Sequence, residues 1–189
     1  MKRSEINAAI RAAQGAFVEA GWTLPPKPRW DVTDFGLGSF RRKGLVLVNL
    51  AEEPEYCEKI MFAQRDQRTP AHCHASKKED IIARRGTLRI QIWHGKPQNS
   101  GTEPALVRIN GEERAIASGT IVDLDSGERI TLRPGVYHEF WPGSETCVIG
   151  EVSTANDDKT DNFFADPDIG RFPAIEEDEP ALVRLVSER

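Results

Sequence analysis

From Trp30 to Val152 the chain is a succession of short apolar runs cut at close intervals by Gly, Pro, Asn and Asp. Leu45–Leu50, Glu58–Gln64, Asp80–Arg85, Thr87–Trp93, Thr120–Leu124, Glu128–Leu132, Glu139–Trp141 and Thr146–Val152 each have strand length and β-branched or aromatic content. Asn110-Gly111, after Leu106-Val107-Arg108-Ile109, is the dipeptide of a two-residue hairpin turn. No helical pattern separates consecutive strands, so the parallel crossovers of an α/β sheet are excluded. An antiparallel sandwich or barrel is expected.

Before this region, Ile6, Ile10, Ala13 and Phe17 recur at helical spacing, widened by Ala9 and Ala20. With Ser4 as N-cap and Gly21 as C-terminal stop, Ser4–Ala20 reads as one amphipathic helix packed on the outside of a sheet. Pro25, Pro26 and Pro28 make the connector that follows extended. The expected organisation is residues 1–28 for helix and connector, 29–175 for the β domain and 176–189 for an acidic turn and tail. Glu176-Glu177-Asp178-Glu179 is expected to be a solvated loop, and Leu182, Val183, Leu185 and Val186 to cover a sheet edge.

The 189 residues suit one domain with a terminal extension. A net charge of −5 gives no global positive field, so no nucleic-acid partner is expected. Arg41-Arg42-Lys43 and Arg84-Arg85 read as solvated strand ends. No apolar run reaches bilayer length and none of signal-peptide length follows Met1, so no membrane partner is expected. Cys57, Cys73 and Cys147 cannot all pair and form no C-x-x-C, which fits a reduced, cytoplasmic protein.

The chemistry concentrates in Thr69-Pro70-Ala71-His72-Cys73-His74-Ala75-Ser76-Lys77-Lys78-Glu79-Asp80. Residues two apart on a strand share a face, so His72 and His74 present two imidazoles together and Cys73 points away as a buried small side chain. Glu79 opens the next strand, and His138 arrives behind the Pro134-Gly135 turn. Three imidazoles and one carboxylate suit a borderline first-row cation: Mn²⁺, Fe²⁺, Co²⁺, Ni²⁺ or Zn²⁺. His94, the remaining histidine, sits in a turn and is expected to be exposed.

These residues resemble the two-motif signature of the cupin superfamily. His-x-His, four residues, Glu, six residues, Gly is met by His72, His74, Glu79 and Gly86. The second motif is met by Gly127, Gly135 and His138, with Arg133 at the proline position and Pro134 after it. Asp66 replaces the glycine before the first histidine and Pro142 a downstream asparagine; neither change removes a ligand. The resemblance implies a jelly-roll β-barrel with an N-terminal helix. Thr69-Pro70, Lys77 within the motif, His138-Glu139-Phe140, Glu151-Val152-Ser153, Asn156-Asp157-Asp158, Asp161-Asn162 and Arg171-Phe172 are similar to the D-lyxose isomerase family of cupins. That family's activity implies aldose–ketose interconversion of D-lyxose and D-xylulose, and often of D-mannose and D-fructose, with Mn²⁺ or a similar ion and as a homodimer.

An enediol route needs a base, and Glu151 is the first candidate because it shares strand parity with Cys147 and Ile149. Burial among apolar neighbours is expected to raise its pKa towards the useful range. Lys77 is expected beside the metal, balancing developing negative charge. Asp161 and Arg171 are candidates for gripping sugar hydroxyls or for proton relay. The structural alternatives are an arginine partner for Glu151, a solvated turn for Lys77 and a surface clamp for Arg171. Two other functions use the same ligands: an iron-dependent dioxygenase and a non-catalytic sugar-binding module.

Overall fold

A computed structural model describes residues 1–154, 160–169 and 174–188. After the helix α1 (Arg3–Glu19) come β1 (Arg29–Thr33), the short α2 (Phe40–Lys43), β2 (Leu45–Glu52), β3 (Tyr56–Gln64), β4 (His72–His74), β5 (Glu79–Arg85) and β6 (Leu88–Trp93). The second half holds β7 (Ala105–Ile109), β8 (Glu112–Ile116), β9 (Thr120–Leu124), β10 (Arg129–Leu132), β11 (Tyr137–Pro142), β12 (Thr146–Thr154) and β13 (Asn162–Phe164). They form two antiparallel sheets, ordered β1-β2-β3-β12-β5-β10-β7-β8 and β13-β4-β11-β6-β9. This is the jelly-roll β-barrel expected of a cupin. Asn110 and Gly111 both adopt positive φ in the β7–β8 hairpin, as a primed turn requires.

Side-chain alternation builds two cores from the same strands. Met61 and Ala63 of β3, with Cys147 and Ile149 of β12, point between the sheets towards Leu88, Ile90, Ile92 and Phe140. Ile60, Phe62 and Val148 point outwards to meet Ile6, Ile10, Ala13 and Phe17 of α1. Strands covered on both faces read as continuous apolar runs, which is why β3 and β12 show little alternation in sequence. Burying Phe17 completely removes an aromatic side chain from water, which contributes about 1.5–3 kcal/mol. The helix ends as expected: Gly21 has φ 72°, its N–H donates to Val18 O, and the Trp22 N–H donates to Phe17 O.

One expectation needs correction and another needs an addition. Ser4 is not the N-cap, since the helix begins at Arg3 and Lys2 occupies that position without a side-chain bond. Asp178 does the capping from across the chain, accepting from the Ser4 N–H at 2.9 Å and the Ser4 hydroxyl at 2.7 Å. The acidic run, exposed from Glu176 to Asp178 as a solvated loop should be, is therefore also tied to the helix. Glu177 binds the Arg3 guanidinium and Glu179 accepts from Asn7 Nδ2, and the run lies at the positive end of the helix dipole, where negative charge is favoured. Arg3 is fully buried between Glu177 and Glu188. The tail thus folds back on the helix: Leu185 joins the outer core, while Val186 and Ser187 line an internal cavity.

Two backbone positions hold the motif loops in place. At Gly86, φ is 83° and a Cβ would lie 2.5 Å from both Ser144 Oγ and Thr146 O, so only glycine fits. At Asp66, where the cupin pattern has glycine, φ is 74°. Aspartate is among the residues that tolerate this left-handed conformation, so the turn survives the replacement.

Candidate active site and metal centre

A cavity of about 480 Å³ opens between the sheets, within the size range of small-molecule sites. His72 and His138 lie directly opposite one another across the β4–β11 pair. His74 follows on the same face of β4. The ligand nitrogens of the three imidazoles lie within 4.8 Å of one another. Cys73, between the two histidines, is buried outside this cluster, as its parity demands.

Each imidazole is oriented by a backbone carbonyl. Nδ1 lies 3.0 Å from Pro70 O in His72, 3.0 Å from Asp161 O in His74 and 3.1 Å from Val136 O in His138. A carbonyl only accepts, so each Nδ1 carries the proton and each Nε2 presents a lone pair. Burial pushes the His74 imidazole down, and His72 well below the ordinary histidine range, keeping both neutral. Gly135, at φ 82° in the Pro-Gly turn, donates its N–H to His74 O at 2.7 Å and so ties the two histidine-bearing segments together.

Glu79 Oε1 stands 3.1 Å from His138 Nε2 and 3.5 Å from His74 Nε2. These three buried atoms have no hydrogen-bond partner among the described residues. Acceptors facing one another without a donor are costly, and a cation resolves the cost. The donor set therefore fits a divalent ion on His72, His74, His138 and Glu79, the three nitrogens and one oxygen that borderline metals prefer.

Behind Glu79 runs a buried chain of alternating charge. Lys77 Nζ is 3.0 Å from Glu79 Oε2 and 2.9 Å from Glu151 Oε1, and Lys59 Nζ is 3.3 Å from the same Glu151 oxygen. Lys77 is thus no solvated turn residue. Burial alone would lower its pKa, but Glu151 and Glu79 raise it. Burial alone would raise Glu79, yet the Lys77 ammonium holds it well below the usual carboxylate range.

Glu151 points inwards, but the expected rise in its pKa is wrong. Burial does act upwards, but Lys59 and Lys77 outweigh it and the pKa falls. Its basic form is the resting one at neutral pH. Lys59 was not singled out from sequence. It shares inward parity with Met61, which was a usable signal, but its position opposite Glu151 is set by the β3–β12 register.

Asp161 faces the β4–β5 turn. One carboxylate oxygen accepts from the Ser76 N–H at 2.8 Å and the Ser76 hydroxyl at 2.9 Å, the other from the Lys77 N–H at 2.9 Å. Those bonds hold its pKa down against the upward effect of burial. The residue positions Lys77 and, through its carbonyl, His74; its side chain is not part of the cavity wall. Arg171, Asn156, Asp157, Asp158 and Phe172 lie outside the described residues. His94 is half exposed at the end of β6, as expected.

A family model described as D-lyxose isomerase matches residues 27–189. A D-lyxose/D-mannose isomerase of Serratia proteamaculans is 36% identical over 95% of this chain and 94% of its own length. One from Escherichia coli O157:H7 is 34% identical over 100% of this chain and 98% of its own. Among solved structures, the L-ribose isomerase of Cellulomonas parahominis with L-ribose superposes with a TM-score of 0.70 at 16% identity, covering 93% of this chain and 98% of that one, a likeness of fold.

Proposed function

Since the chain belongs to the D-lyxose isomerase family, we propose that it is a divalent-metal-dependent aldose–ketose isomerase acting on D-lyxose and D-xylulose, and on D-mannose and D-fructose. The carrying observation is the convergence of three Nδ1-anchored imidazoles and Glu79 on one point, with the Lys77–Glu151 pair beside it. Asn49, Lys59 and Glu151 form a polar row across β2, β3 and β12 on the cavity wall, with Asp31 and Ser187 nearby. Such a wall offers hydrogen bonds to a polyhydroxylated substrate, which favours a sugar over the apolar or aromatic substrates of a dioxygenase.

When bound, the ion, for which Mn²⁺ is our choice, supplies Lewis acidity that polarises the sugar carbonyl. Glu151, held ionised by Lys59 and Lys77, takes the proton from C2 of the open-chain aldose and returns it to C1, while the O2 hydroxyl proton passes to O1, so that C1 ends as the hydroxymethyl group and C2 as the ketone. Lys77 stays ionised between its two carboxylates and offsets the negative charge that develops on the enediol oxygens. As Glu151 becomes protonated it releases its claim on Lys77, so the ammonium is most available to the oxyanion when charge there is greatest. Asp161 holds the turn that aims Lys77, and Phe140, Ile81 and Met61 keep the cavity floor apolar and limit water around the base.

The test is to purify the protein, determine its metal and screen pentoses and hexoses for ketose formation with Mn²⁺ added. Glu151→Gln should retain metal and lose turnover by about 10²–10⁴-fold. A variant with undiminished turnover would remove Glu151 from the mechanism, and undiminished binding without any wild-type turnover would favour a sugar-binding module. Isomerisation in deuterated water separates routes: label at the transferred position supports the enediol, and full retention supports a hydride shift.

A further inference from the structure

On the opposite side of the five-stranded sheet from the metal ligands lies a second concavity, of about 920 Å³. The pleat relates the two: His138 and Phe140 of β11 point inwards, while Glu139 and Trp141 point outwards. The wall is basic. Arg41, Arg42 and Lys43 come from α2, Arg65 and Arg68 from the loop after β3, and Arg89 from β6. Among the described residues Asp66 is the one acidic residue lining it. In a chain of net charge −5 this is a local reversal of sign, built by three separate elements converging on one hollow.

The cations divide into two kinds. Arg65 and Arg89 pair with Glu145 and Asp123, at 3.0 and 3.1 Å. Arg68 is fixed more firmly. It bonds Glu139 and Gln91, its guanidinium carbon lies 3.8 Å above the Trp141 ring, and its buried Nε has no partner among the described residues. Arg41, Arg42 and Lys43 have no carboxylate within ion-pair distance among the described residues, whereas most exposed arginines of this protein do. Counting Asp66, Glu139, Glu145 and Asp123 against the six cations leaves a surplus of two positive charges, and α2 carries it.

We propose that this hollow binds a phosphate monoester. A surplus of two matches a dianion, and guanidinium groups supply the forked donors that phosphate oxygens take in pairs. The hollow is larger than an orthophosphate needs, and Trp141 with Pro142 gives an apolar wall for the organic part of the ester. A nucleic-acid strand is disfavoured, because the basic surface is one local hollow bordered by Glu139, Glu145 and Asp123 and not a continuous stripe. The site shares no lining residue with the metal cavity, so it stands or falls independently of the isomerase assignment.

The experiment is calorimetric titration of the metal-loaded full chain with glycerol phosphate, and separately with inorganic phosphate, in about 0.15 M salt, where exposed charges are screened beyond ~8 Å. Saturable binding of glycerol phosphate in the millimolar range or tighter is expected, with inorganic phosphate several-fold weaker. The Arg41→Ser/Arg42→Ser double variant should weaken the ester by about tenfold. Its melting temperature and sugar turnover should be unchanged, since neither residue touches the core or the metal cavity. Trp141→Phe should abolish any ligand-induced change in tryptophan fluorescence. The proposal is overturned by absence of saturable binding, by equal affinity for inorganic phosphate and the ester, or by undiminished affinity in the double variant. It is also overturned if the wild type self-associates through this face, seen as a concentration-dependent mass that the double variant loses.

Discussion

Replacing Arg3 with Met tests whether the two chain ends are joined by a buried ion cluster. The guanidinium has no exposure and makes four short bonds, at 2.8 and 2.7 Å to Glu177 and at 3.1 and 2.6 Å to Glu188. Methionine refills much of the aliphatic volume, so the loss is one of charge pairing and not of packing. Breaking a buried pair by removing one partner costs about 3–5 kcal/mol. Glu177 is half exposed and can turn to water, and Glu188 keeps Arg184 at 2.9 Å and the Leu185 N–H at 2.8 Å. The lower end applies, about 3 kcal/mol. For a domain of this size that corresponds to a fall in Tm of about 6–12 °C, measured by circular dichroism at pH 7. Glu177→Gln, at an exposed partner, should cost under about 1 kcal/mol.

Acid titration adds a second arm to that test. Arg3 holds the Glu188 carboxyl down at about 2, against an ordinary value of 4.5. A depressed carboxyl contributes stability that is fully present above its unfolded pKa and is lost as pH falls through the folded one. The wild type should therefore lose this contribution between about pH 4.5 and 2, and Arg3→Met should have a flatter profile there. A variant within about 1 kcal/mol of wild type, or one with an identical acid limb, would refute the clamp.

Lys59→Met removes a cation that holds Glu151 ionised, so the acid limb of kcat/KM should move to higher pH and kcat should fall by about tenfold with metal content unchanged; an unmoved limb would show that Lys77 suffices. Asp161→Asn removes the charged acceptor for three donors of the Ser76–Lys77 turn, and kcat/KM should fall by about tenfold with a stability loss of about 1–2 kcal/mol by urea denaturation. Dialysis against a chelator should lower Tm, and Mn²⁺ should restore it in proportion to the logarithm of its concentration; an indifferent Tm would argue against an ion on the three imidazoles.

The local code of this chain was strong enough to specify most of its longer strands, the N-terminal helix and the candidate metal ligands. Apolar runs of strand length between turn residues located β2, β3, β6, β9 and β12 to within a few residues, and the His72-x-His74 parity placed two imidazoles on one face while burying Cys73 on the other. Helical spacing fixed the inner face of α1 as well. These features depend on dihedral preference and side-chain direction, which each segment carries by itself.

What only the tertiary structure decided were the pairings between segments far apart in sequence. The register of β3 against β12 put Lys59 opposite Glu151, and that neighbour reversed the sign of the pKa shift that burial alone implied. Asp161 became a brace for the Lys77 turn because β13 pairs with β4, and the acidic run found Arg3, Ser4 and Asn7 because the tail returns to the helix. Burial can be guessed from a residue's own strand, but the Coulomb interaction that opposes it depends on which distant chain lies within a few ångströms.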